Sequence, residues 1–151
     1  MTALSLVLLP IGAAAVVEDL ARRRVSNWIS GSALISGFAL HGAQQGWRGI
    51  ATAAAGAAVG FAVFAVFYFL KGMGGGDVKL MAGFGSLLGP RTILSAAWTA
   101  AVAGGLMAAA SAVVLTARPT ASGRPATARA EAIPYAPAIV AGVWLAEMAR
   151  G

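Results

Sequence analysis

Six apolar stretches alternate with short polar connections along the 151-residue chain: Thr2–Val17, Trp28–Ala43, Ile50–Leu70, Val78–Leu88, Thr92–Thr116 and Pro134–Met148. A helix crosses a hydrocarbon core of about 30 Å with ~20 apolar residues. The third and fifth stretches reach that length, and the first, second and sixth fall somewhat short of it. The fourth is too short to span unaided and is expected to form a half-helix. The pattern predicts an all-α polytopic membrane protein, a compact bundle of about six transmembrane helices, with five as the alternative. No internal repeat is visible, and no second domain has room to fold, so residues 1–151 are read as one transmembrane domain.

Composition agrees with the bilayer as solvent: 59% of residues are hydrophobic, 11% are charged, and the mean hydropathy is +0.80. The stretches are rich in alanine and glycine, with Gly56 and Gly60 four apart in the third and Gly85 and Gly89 four apart in the fourth. Small residues at that spacing let helix backbones approach closely in lipid, which points to packing and carries no chemistry. A net charge of +6 raises nucleic acid as a partner, but the Lys and Arg residues sit singly or in short clusters between apolar runs. No nucleic-acid partner is therefore expected. The chain has no cysteine, which excludes disulfides, thiolate metal sites and a cysteine nucleophile. Neither a metal nor a cofactor is expected.

Cations accumulate in short cytoplasmic loops, so their distribution orients the bundle. Alternating the loops puts Arg22, Arg23, Arg24, Lys71, Lys79, Arg118, Arg124 and Arg129 on one side and Arg48, Arg91 and Arg150 on the other. The first, third and fifth loops are then cytoplasmic, with both chain ends outside the cytoplasm. The fifth loop, about residues 118–132, is low in apolar bulk and rich in Pro, Thr, Ser, Gly and Ala, and is expected to be flexible. The first stretch could pass for a secretory signal, but its first cation, Arg22, follows the apolar run, so a retained helix is expected.

Glu18, Asp19, Asp77 and Glu131 fall on the cytoplasmic side, and an ionisable group at the membrane edge is a candidate functional residue. Asp77 follows Gly74-Gly75-Gly76, glycines that can turn the chain sharply at positive φ. It then opens a helix, where an aspartate also serves as an ordinary cap. Asp19 lies before a cluster of topogenic arginines and Asn27, a residue that can cap the next helix. Taken together, the two acids can form a dyad in which one, ionised, takes a proton from water while the other donates to a scissile carbonyl. No other constellation in the chain offers a comparable mechanism, since there is one histidine and no serine with a nearby base.

Gly74-Gly75-Gly76-Asp77 fits a GxGD pattern and is followed by Val78-Lys79-Leu80, as in type IV prepilin peptidases. Asp19, Arg24, Val25 and Asn27 match that family's D-x₄-R-[IV]-x-N stretch, and Ile133-Pro-Tyr-Ala-Pro137-Ala-Ile139 is similar to the run that opens its last helix. The resemblance implies an intramembrane aspartic endopeptidase of the bacterial inner membrane that cuts the leader from prepilins or pseudopilins on the cytoplasmic face. Its partners would be the prepilin or pseudopilin substrate helix, the lipid bilayer and the pilus assembly machinery. It carries the catalytic role to Asp19 and Asp77 and the active-site turn to Gly74 and Gly76. Arg24, Asn27, Lys79 and Pro137 match in sequence, and no role follows from that match alone. Where the family has proline before the asparagine, this chain has Ser26, a change expected to be tolerated. Longer members carry a methyltransferase region with zinc-binding cysteines. The chain resembles the short form found with Flp/tight-adherence pili, so N-methylation is not expected.

Neighbouring residues on a helix point about 100° apart, so only one of Glu18 and Asp19 is expected to face Asp77, and Asp19 is preferred. Lys79 is expected to snorkel to the interface, and His41 to be a polar residue at the outer end of the second helix. Tyr135 either lines a substrate groove or anchors at the interface. Two rival functions use the same residues: a small proton-coupled transporter, and a non-enzymatic assembly subunit in which both aspartates merely cap helices.

Overall fold

A computed structural model describes residues 3–22, 24–70, 74–117 and 135–149. The described residues are helical with no strand, in four elements: α1 (Ala3–Arg22), α2 (Asn27–Phe69), α3 (Gly75–Ala117) and α4 (Ala136–Met148). The loop at about 118–132 lies outside the described residues.

Four helices stand where six separate ones were expected, because the second and third apolar stretches share one element, and so do the fourth and fifth. Each long element is broken at a single glycine of positive φ, Gly46 (φ 56°, ψ −134°) in α2 and Gly89 (φ 77°, ψ 170°) in α3. Only glycine enters such conformations without a Cβ penalty. At 1.5 Å per residue the two limbs of α2, residues 27–45 and 47–69, run about 28 Å and 34 Å. Both breaks reverse the chain. A Cβ on Gly49 would strike the His41 carbonyl, eight residues back, which a continuous helix would hold about 12 Å away. Likewise a Cβ on Gly60 would meet both Met81 O (2.5 Å) and Ile93 Cγ1 (3.3 Å), two residues from opposite limbs of α3.

The first limb of α3, residues 75–88, is the centre of the fold. Leu80, Met81, Phe84, Ser86 and Leu87 are fully buried, and the stretch 83–89 is buried without interruption. A helix covered on every side need not match the bilayer by itself, which is how so short a segment is accommodated. The first limb of α2 runs parallel to it, bringing Gly37 against Ser86 and Ala33 against Gly83, while the second limb runs antiparallel, bringing Gly56 against Gly85 and Gly60 against Met81. The two small-residue pairs noted in the sequence therefore meet each other, and backbone touches backbone where they cross. Ser86 adds a hydroxyl that reaches the carbonyls of Gly83 (2.7 Å), Ala33 (3.3 Å) and Leu34 (3.3 Å).

α4 lies antiparallel to the second limb of α3 and to α1. Gly142 sits against Ala96 and Ala100, and Gly12 against Val140 and Trp144. α1 continues past the apolar stretch to Arg22, so Glu18 and Asp19 are carried on a helix rather than in a loop. At the far end His41 Nε2 donates to the Leu87 carbonyl (2.9 Å), satisfying an acceptor next to the Gly89 break. α1 and α2 are each long and apolar enough to cross a membrane.

The Gly56–Gly85 crossing sets a test of packing. Gly85→Ala forces a methyl into the Gly56 carbonyl and is expected to lower stability by about 1–3 kcal/mol in a thermal melt in detergent. Gly31→Ala, in the same bundle but with nothing within 4 Å, should leave the melting temperature unchanged or slightly raised.

Candidate active site

Two acids lie at the same end of the bundle. Asp19 is on the last turns of α1, Asp77 in the first turn of α3, and both are almost withdrawn from solvent, at 6% and 8% exposure. At this end the start of α3 contacts the α1–α2 connection and the start of α2: Gly76 lies against the backbone of Val25, and Lys79 Nζ donates to Asn27 Oδ1 (3.0 Å).

Local structure differs from expectation in two places. The glycines before Asp77 do not turn the chain at positive φ, because α3 already begins at Gly75, and among the described glycines only Gly46 and Gly89 have positive φ. Gly75 passes Tyr68, Gly76 passes Val25, and a Cβ on Gly74 would stand 3.5 Å from Asp77 Oδ2. The Gly74 carbonyl also accepts the Asp77 N–H (3.2 Å), which fixes the first turn. Asn27, expected to cap α2, is instead its first helical residue, with Ser26 in the cap position; the Asn27 amide oxygen is taken by Lys79.

Glu18 and Asp19 have different tasks. Glu18 grips the next helix, accepting the Ser26 N–H at Oε2 (2.9 Å) and the Ser26 hydroxyl at Oε1 (2.5 Å), with Arg22 at 4.0 Å. Asp19, one step round α1, points to α4, where Oδ2 accepts the buried N–H of Ala136 (3.1 Å). Nothing in the sequence pairs Asp19 with Ala136, 117 positions away. The available signal was Pro137, which marks a helix N-terminus, where unpaired N–H groups gather, on the side that carries Asp19. Ser26 was noted only as a departure from a pattern, and its role as donor to Glu18 was not foreseen.

Arg24 is exposed and lines an open depression of about 820 Å³ with Glu18, Arg22 and Trp28; neither aspartate lines it. Pro137 is the second residue of α4, and Tyr135 lays its ring against Gly104. His41 is at the opposite end of the fold from both acids and takes no part in the site.

An all-helical membrane protein with two buried acids at the same end of its bundle is the class this architecture defines. Residues 6–109 match the type IV leader peptidase family, and the chain belongs to that family. A prepilin leader peptidase/N-methyltransferase of Bacillus subtilis (strain 168) is 40% identical over 93 residues, 60% of this chain and 34% of that protein. The chain thus spans about a third of the length of the curated relative it matches. No solved structure matches. The family match takes in Asp19 and Asp77 and ends before Tyr135, so the contact between Asp19 and α4 lies partly outside it.

Both donor groups of Ser26 bond to one carboxylate, which fixes an order of effects. Glu18→Ala is expected to lower the melting temperature by on the order of a few degrees, and Ser26→Ala by less, because the N–H bond survives. The double variant should melt with Glu18→Ala alone, a non-additivity read in the same thermal scan.

Proposed function

We propose that this chain is an aspartic endopeptidase that removes the leader of a prepilin or pseudopilin at the cytoplasmic face of the bacterial inner membrane, with Asp19 and Asp77 as its catalytic pair. The observation that carries the reading is the burial of two carboxyls, from separate helices, at the same end of the bundle. Family membership and the activity in the relative's name support the substrate class.

Two carboxyls in this relation split the work of hydrolysis. The ionised one takes a proton from a water molecule, whose oxygen bonds to the scissile carbonyl carbon, while the protonated one gives its proton to the carbonyl oxygen. The tetrahedral intermediate then breaks its C–N bond, and the proton taken from water passes to the departing amine. Like charges at close range do not ionise together, so the pair supplies one base and one acid at the same pH. Gly74 and Gly76 frame the turn that presents Asp77, Gly74 beside its carboxyl and Gly76 beside Val25. Lys79, Asn27 and Val25 tie the start of α3 to the start of α2 and so keep Asp77 near α1. Arg24, exposed on the adjacent depression, is positioned to meet the polar part of a substrate before it reaches the acids.

The same reading places six helical limbs across the membrane, both chain ends outside the cytoplasm, and a substrate helix docked in lipid beside the bundle, delivered to the pilus assembly machinery after cutting. Its support is the excess of Lys and Arg in alternate connections. Methyl transfer is not assigned to this chain.

Asn matches Asp in shape and capping but cannot complete the dyad. Asp19→Asn and Asp77→Asn are each expected to reduce processing of a co-expressed prepilin at least about a hundredfold, with the protein still present in the membrane fraction. Undiminished processing by either variant, scored as a gel mobility shift, defeats the assignment. For the unaltered enzyme, the rate against pH should be bell-shaped: it falls in acid as the base is protonated and in alkali as the acid loses its proton.

A further inference from the structure

Asp19 is gripped by a helix that carries neither acid. Its Oδ2 accepts the N–H of Ala136, the first residue of α4, at 3.1 Å in a buried setting. The first N–H groups of a helix have no partner within it, and the helix dipole there attracts a carboxylate. Pro137, the next residue, has no N–H to offer, so the donor at Ala136 is not in competition with its neighbour. The turn that holds this donor is itself held. The Tyr135 ring packs on Gly104 of α3, Gly142 seats α4 against Ala96 and Ala100, and Gly12 admits Val140 and Trp144 against α1.

We propose that the Ala136 N–H is a positioning group for catalysis: by occupying Oδ2 it fixes the carboxyl plane of Asp19 and leaves Oδ1 as the oxygen that meets the water. This rests on the reading of Asp19 as a catalytic acid. A carboxyl on a helix end can rotate about two side-chain torsions, and a hydrogen bond at one oxygen removes most of that freedom. The first turn of α4 thereby acts on the reaction without touching the substrate. A shift of that turn by a fraction of an ångström would misalign Asp19 while leaving the bundle folded.

The donor is a backbone group, so the test alters the backbone. The full chain is made by cell-free synthesis into lipid nanodiscs with an amide-to-ester exchange at residue 136, which deletes the N–H and keeps the methyl side chain. With a purified prepilin as substrate, kcat should fall about tenfold to a hundredfold with KM and melting temperature nearly unchanged. A control ester at residue 141, on the exposed face of α4, should cost some stability and leave kcat intact. An unchanged kcat for the 136 ester, or an equal loss for both esters, overturns the proposal.

A second measurement does not depend on cleavage. The NMR amide signal of Ala136 should shift in Asp19→Leu and stay near its place in Asp19→Asn, whose oxygen still accepts the bond. An Ala136 signal indifferent to Asp19→Leu removes the contact and the proposal with it. A chain that passes this amide test but cuts no prepilin removes the hydrolase reading instead, and the catalytic part of the proposal with it.

Discussion

Backbone lies on backbone where Gly56 of α2 meets Gly85 of α3, and that crossing seats the first limb of α3, whose first turn carries Asp77. The first limb of α3 is too short to span a bilayer comfortably and is buried along its whole central stretch, so it exists only because both limbs of α2 close over it. Glycine makes the closure feasible, since a single methyl at either position would meet the opposing carbonyl. Once that limb is fixed, its first turn must emerge beside the start of α2. There Gly76 touches Val25 and Lys79 reaches Asn27, which holds Asp77 at the end of the bundle that carries Asp19.

The acid end is a set of connections in which each polar side chain has one job. Glu18 closes the short passage from α1 to α2 by taking both donors of Ser26, and Asp19 takes the first N–H of α4. Adjacent carboxylates on one helix are thus directed to different elements by the 100° step between them. Ser26 has φ −64° and ψ 143°, an extended conformation that a proline would also adopt, but a proline could not donate to Glu18. In this chain the turn is held by hydrogen bonds.

Much of the architecture was readable from the order of residues alone. The hydrophobic pattern located the helical stretches closely, because length and composition decide whether a segment prefers lipid, and neighbours change that little. The two aspartates stood out for a related reason, as ionisable residues are few and costly near a membrane. The pattern did not reveal that Gly46 and Gly89 would be one-residue reversals inside continuous elements, since each reversal is a matter of φ and ψ at a single glycine. Nor could it tell whether Gly74 to Gly76 would turn the chain at positive φ.

The sequence by itself determined that the chain is helical, apolar and furnished with two acids that each lie close to cations along the chain, because these follow from local composition summed along short windows. Tertiary structure alone decided that Asp19 answers to Ala136, that Glu18 answers to Ser26, and that Asn27 serves Lys79 rather than its own helix end. Those choices depend on which backbone N–H groups and side chains are brought within about 3 Å once the helices pack, and distance in space is not encoded by distance along the chain.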